Sequence, residues 1–235
     1  MSSDTTRSKG VMELIGTAAL VCTIQLTTAG GGTTDWAPLA IGGILMVMVY
    51  AGGPISGAHY NPAVSLAVRL RGSMTVPDMG VYWACQLVGG GLGAMLGGVL
   101  NGGTFGMVTV GDGVSSSRAW LAEVVFTFLL CFVVLSVATN TTVSDNHYYG
   151  AAIGFVVTCG AIAVGPISGG AFNPAVALGL WMAKGIPLSH LVYTLGVVGS
   201  NVVGGMLAAA CFAIVAPDQM DAAGASSGET TNLVV

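Results

Sequence analysis

GPISGGAFNPAV, from Gly165 to Val176, is a near-copy of GPISGAHYNPAV, from Gly53 to Val64. Nine of the twelve positions are identical, and the two Asn-Pro-Ala cores start 112 residues apart. Both copies lie in apolar surroundings. Each is followed by an apolar piece of only about eleven residues, Asn61 to Arg71 and Asn173 to Lys184. A helix of that length rises about 16 Å, half of a hydrocarbon core of about 30 Å. Asn is a strong N-cap, and Pro suits the first helical position, where no N–H is needed. Each copy therefore reads as an irregular entry, Gly53–Tyr60 or Gly165–Phe172, followed by a half-helix that begins at Asn. Both Gly-Pro and Asn-Pro are expected to interrupt the helix. Arg69, Arg71 and Lys184 fall where positive charge complements a helix C-terminus.

The rest of the chain says what surrounds the half-helices. Of 235 residues, 54% are hydrophobic and 7% charged, against about 25% charged in soluble domains. So few charges cannot cover a water-soluble globule, which makes lipid the solvent and a membrane partner. Six apolar runs near 11–30, 37–53, 80–100, 118–138, 148–165 and 188–215 are expected to span it. They form one all-α domain over 1–235, with halves at about 11–110 and 118–215 and polar tails at 1–10 and 216–235. The tail from Ala216 reads as disordered. The net charge of −4 and six scattered Lys and Arg give no nucleic-acid footprint. The five cysteines sit in apolar runs without zinc-ligand spacing, and no metal or cofactor is implied.

Three full spans separate the half-helices, so the second enters from the opposite face. That is an inverted repeat with broken helices meeting near the midplane. Arg7, Lys9, Arg69 and Arg71 fall on one side, Arg118 and Lys184 on the other. The positive-inside rule then puts both termini in the cytoplasm. Irregular backbone at membrane depth is tolerable only when buried in protein or lining a wet cavity. Two helix N-termini meeting head to head each carry about half a positive charge. With the amides of Asn61 and Asn173 as donors, that centre accepts the oxygen of a neutral molecule and repels cations.

The paired NPA boxes, the preceding Ser-Gly-Ala-His and Ser-Gly-Gly-Ala-Phe, and the six spans resemble the aquaporin, or major intrinsic protein, family. The resemblance runs from about Gly10 to Ala216. It implies a right-handed bundle of six helices and two half-helices, one pore per subunit, a homotetramer, and passive conduction of water. Glu13 and Glu123, the acids well inside apolar spans, match family glutamates that brace the re-entrant loops. His59 stands at the family's loop histidine and is expected to bond backbone. Gly89, Gly93 and Gly97, like Gly196, Ser200 and Gly204, form small-residue rows suited to helix packing.

One position departs from the family. Most members place Arg after the second NPA, and here Val176 stands there. The resemblance maps the rest of the outer constriction to Ile41, Ala161 and Gly170. Water-selective members typically show Phe, His and Arg in this ring, and glycerol-selective ones Trp, Gly, an aromatic and Arg. The ring of Ile, Ala, Gly and Val is expected to be wider and less polar, admitting small neutral solutes such as glycerol, urea, ammonia or hydrogen peroxide beside water. A secondary transporter would share inverted repeats but needs a coupling-ion site, and no Asp, Lys or Arg lies well inside the membrane to form one. A junctional protein would show little permeability. No Ser/His/Asp, metal or phosphate-binding arrangement points to an enzyme.

Overall fold

The computed structural model describes residues 3–29 and 35–220. Among them are eight α-helices: α1 Ser3–Thr28, α2 Ala37–Ser56, α3 Pro62–Arg71, α4 Val76–Leu100, α5 Ser116–Ala138, α6 Tyr149–Ser168, α7 Pro174–Ala183 and α8 Leu191–Val215. Six are long and apolar enough to cross a membrane. The other two, α3 and α7, are ten residues each, about 15 Å of rise. Asn61 and Asn173 cap them with extended backbone, and each side chain accepts from the N–H two residues on, Ala63 or Ala175, at 2.9 Å. Pro62 and Pro174 occupy the first helical positions.

The entry segments differ from expectation. Helices α2 and α6 run through Pro54 and Pro166 and end at Ser56 and Ser168. A proline in the last turn forfeits only one intrahelical bond. The breaks come instead at Gly57 and Gly169, both left-handed at φ 83°, whose N–H groups close back onto Gly53 and Gly165. The irregular backbone is thus shorter than expected, Gly57–Asn61 and Gly169–Asn173. Helix α1 also starts at Ser3 and α4 at Val76, earlier than the apolar runs; α4 is started by the Thr75 cap, whose side chain accepts from the Asp78 N–H, with Pro77 in the first turn. Part of the expected disordered tail is ordered. Pro217–Gln219 form a 3₁₀ turn, and Gln219 Oε1 accepts from both N and Oγ1 of Thr141 at 2.8 Å. Residues 221–235 lie outside the described residues.

The halves interlock. Within each half the first and last long helices pair, α1 with α4 and α5 with α8. Small residues set that approach: a Cβ on Gly93 would stand 2.3 Å from the Ala18 carbonyl oxygen. Each short helix, however, packs mainly against the other half, α3 on α8 and α7 on α4. Gly205 meets the Ala63 carbonyl and Gly90 the Ala175 carbonyl, where a Cβ would fall at 2.7 and 2.5 Å. The two half-helix starts are thereby seated at the same depth, with α2 and α6 packed across the centre.

Candidate functional site: the paired half-helices and the cavity between them

The carboxyl of Glu13, 0% exposed in α1, accepts four hydrogen bonds. Its Oε1 takes Ser56 Oγ at 2.7 Å and the His59 N–H at 2.9 Å, and its Oε2 takes the Tyr60 N–H at 2.6 Å and Gln86 Nε2 at 2.8 Å. Glu123 in α5 repeats the pattern. Its Oε1 takes Ser168 Oγ at 2.7 Å and the Ala171 N–H at 2.9 Å, and its Oε2 takes the Phe172 N–H at 2.8 Å and Asn201 Nδ2 at 2.9 Å. Tyr82 and Tyr193 donate to the carbonyls of Ser56 and Ser168 at 2.6 and 2.8 Å, tying down the last turn before each break. These bonds offset a strained backbone. Ala58, Tyr60 and Phe172 hold φ of 53°, 50° and 50°, where L-residues are disfavoured by about 1–2 kcal/mol each.

Anchoring the N–H groups on one side turns the loop carbonyls to the other. The Tyr60 and Phe172 carbonyls are taken across the centre. Asn61 Nδ2 donates to Phe172 O at 2.8 Å, and Asn173 Nδ2 to Tyr60 O at 2.9 Å. This reciprocal tie locks the two half-helices head to head. An amide carries two N–H bonds, so each Asn keeps one after the tie. Among the described residues, no protein donor reaches the carbonyls of Gly57, Ala58 or His59, or those of Gly169, Gly170 or Ala171.

Both Asn line a cavity of ≈ 30 Å³, room for about two waters at roughly 10–15 Å³ each. Its walls come in nine pairs, one member from each half. The α1 and α5 walls are Leu20 with Leu130 and Ile24 with Val134. Those of α2 and α6 are Ile41 with Ile153 and Leu45 with Val157. The loops and half-helices give Ala58 with Gly170, His59 with Ala171, Tyr60 with Phe172, Asn61 with Asn173 and Val64 with Val176. The walls are aliphatic, and the polar groups are confined to the loops and the two Asn.

Of the expected outer ring, Ile41, Gly170 and Val176 line the cavity. Ala161 does not line it and stands behind Gly170, its Cα 3.7 Å from where a Cβ on Gly170 would lie. His59 bonds a side chain rather than backbone: its Nδ1 lies 3.0 Å from Ser65 Oγ. Six residues of the brace were not singled out from sequence. Ser56 and Ser168 stand in both copies of Gly-Pro-Ile-Ser, so the repeat itself carried their signal. Gln86 and Asn201 are intramembrane amides, each three residues ahead of a seam glycine, Gly89 or Gly204. Tyr82 and Tyr193 gave no pattern, because their hydroxyls find partners only in the folded bundle.

Six spans, two re-entrant half-helices and a polar-centred cavity define a polytopic membrane channel. Residues 8–212 match the family model described as "Major intrinsic protein". The chain is 35% identical over 175 residues to the probable aquaporin TIP1-2 of Oryza sativa subsp. japonica, covering 72% of this chain and 69% of that one. It is 33% identical over 209 residues to the putative aquaporin NIP4-1 of Arabidopsis thaliana, covering 85% and 72%. The fold is similar to the X-ray structure of the aquaglyceroporin from Plasmodium falciparum, with a TM-score of 0.74 over 91% of this chain and 98% of that one, at 20% identity. The chain belongs to the major intrinsic protein family, and it is a membrane channel rather than an enzyme.

Proposed function

We propose that the protein is a passive channel for water and small neutral solutes, with Asn61 and Asn173 at the pore centre and an aliphatic outer constriction at Ile41, Gly170 and Val176. The observation that carries this is the reciprocal tie of each Asn to the opposite loop. It brings two helix N-termini together inside an aliphatic cavity. Their combined partial positive charge disfavours cations. A molecule in the cavity finds donors at the Asn amides and acceptors at the loop carbonyls, so it exchanges hydrogen bonds along its path. The braces leave no room for ion coupling, since each carboxyl oxygen already accepts two donors.

Val176 supplies no charge and no donor, where an Arg would add up to five N–H groups. Urea and glycerol therefore pass beside water. The assembly is a homotetramer in lipid, with both termini on the cytoplasmic side. Stopped-flow light scattering on proteoliposomes tests the reading. The unsubstituted protein raises water permeability above that of bare vesicles. Val176→Arg lowers urea and glycerol flux relative to water. Unchanged ratios in Val176→Arg would remove the outer constriction from the mechanism.

A further inference from the structure

The leading helix of each half meets its partner differently near the membrane surface. Glu13 matches Glu123, and Gln86 matches Asn201. That register sets Gly10 of α1 against Trp120 of α5, and Val81 of α4 against Gly196 of α8. In the second half the Trp120 indole lies over Gly196, where an added Cβ would run into the ring. The indole stacks on Tyr193, with centroids 6.5 Å apart, and donates to the Tyr193 carbonyl at 3.4 Å. The protein itself therefore fills the space between α5 and α8 at that end.

The first half leaves the matching space open. Gly10 supplies no side chain, and a groove of ≈ 510 Å³ runs between α1 and α4, with Arg7, Gly10, Val11, Leu14, Val81 and Cys85 in its walls. Both helices are membrane spans, so the apolar wall meets hydrocarbon. From Arg7 to Leu14 is seven residues, a rise of about 11 Å. That depth fits within one leaflet's share of the hydrocarbon, about 15 Å.

The surface end of the groove is cationic. Arg7 is exposed, and Ser117 stands at the matching position of the second half. Asp78, one turn before Val81 on α4, is occupied by Thr75 Oγ1 at 2.7 Å. Arg7 also heads a second groove beyond Val11, with Ile15 and Ile55 in its walls. One guanidinium thus heads two apolar troughs that share the Val11 ridge. An anionic phospholipid has the complementary layout, one phosphate above two acyl chains. Arg pairs bidentately with phosphate oxygens, and the cytoplasmic leaflet is rich in anionic lipid.

We propose that Arg7 and the α1–α4 groove bind an anionic glycerophospholipid of the inner leaflet. Its phosphate sits on the Arg7 guanidinium, one chain lies against Gly10, Leu14 and Val81, and the other lies beyond Val11. The lipid backs the loop brace. Leu14 follows Glu13 and Cys85 precedes Gln86, so a chain on that wall clasps the two helices whose side chains meet at 2.8 Å. Only the choice of leaflet rests on the channel reading above, and binding is measured without flux.

The test is native mass spectrometry of the full-length protein in detergent, titrated with phosphatidylglycerol or with phosphatidylcholine of the same chains. Phosphatidylglycerol binds about fivefold more than phosphatidylcholine, the scale of one Arg at an anionic headgroup. Arg7→Gln brings that ratio close to one, with the fold unchanged by circular dichroism. Gly10→Trp combined with Val81→Gly copies the filled groove of the second half and loses one bound lipid per chain. Should the double variant misfold, Arg7→Gln decides alone. The proposal is overturned if the unsubstituted protein shows no preference, if Arg7→Gln keeps it, or if a folded double variant keeps its lipid count. It is also overturned if either variant shifts the oligomeric mass distribution and leaves lipid binding unchanged, because a second copy of the chain then covers this face. Absence of water permeability would sink the channel reading and leave this inference standing.

Discussion

The loop before α3 and the loop before α7 are built on one scaffold and finished differently. Glu13 and Glu123 accept the same four kinds of donor, and Asn61 and Asn173 make the same tie. What differs faces the lumen or supports a residue that does: Ala58 against Gly170, His59 against Ala171, Ser65 against Ala177. Bracing tolerates little change, because a buried donor without a partner costs about 1–3 kcal/mol. Lumen residues bear no such burden. Duplicated halves therefore keep their hydrogen-bond plan and diverge where solute passes.

The strongest way to break the comparison is to remove a brace. Glu13→Ala and Glu123→Ala each strand four donors, and two unpaired backbone N–H groups alone amount to roughly 2–6 kcal/mol. Both variants are expected to lose water permeability and folded yield in detergent, to a similar extent. A well-folded, conducting Glu123→Ala with a collapsed Glu13→Ala would show that the halves are not mechanically equivalent.

The interlock gives a smaller effect. Gly90→Ala and Gly205→Ala place a methyl 2.5 and 2.7 Å from the Ala175 and Ala63 carbonyl oxygens. Each pushes a half-helix off its seat at about 1–3 kcal/mol, the usual cost of overpacking. Thermal melting in detergent should fall for both. Water permeability should fall too, since the Asn tie spans the two seats.

The smallest expected effect sharpens the difference between the loops. Ser65→Ala copies the outer residue, Ala177, into the inner half. It removes the partner of His59 Nδ1 and one acceptor of Gln86, at about 1 kcal/mol. The melting temperature should drop slightly, while the ¹⁵N resonances of the His59 ring show altered Nδ1 hydrogen bonding. An unchanged ring signature would mean that Ser65 does not orient His59.

Much of this was legible in the chain. Asn-Pro after an irregular entry gave both half-helix starts, since N-capping and proline geometry are local. The break at Gly-Pro was misplaced, because a proline near a helix end costs one bond and the left-handed turn waits for Gly57 and Gly169. Ala161 stood in the expected ring, yet it is not among the residues lining the cavity, and its Cα lies 3.7 Å from where a Cβ on Gly170 would stand. Gln86 and Asn201 were overlooked, because an amide in an apolar run does not say which distant carboxyl it will reach.

The sequence by itself determined the inverted repeat, the membrane solvent, the two capped half-helices and the missing filter cation. These follow from composition, length and local backbone rules that act within a few residues. Only the tertiary structure decided that each half-helix seats on the opposite half, that each Asn ties to the other loop's carbonyl, and that Ala58 and His59 face Gly170 and Ala171. The two Asn ties alone join residues 111 and 113 positions apart. They are set by how closely glycine-lined helices approach and by where a buried carboxyl can gather four donors at once.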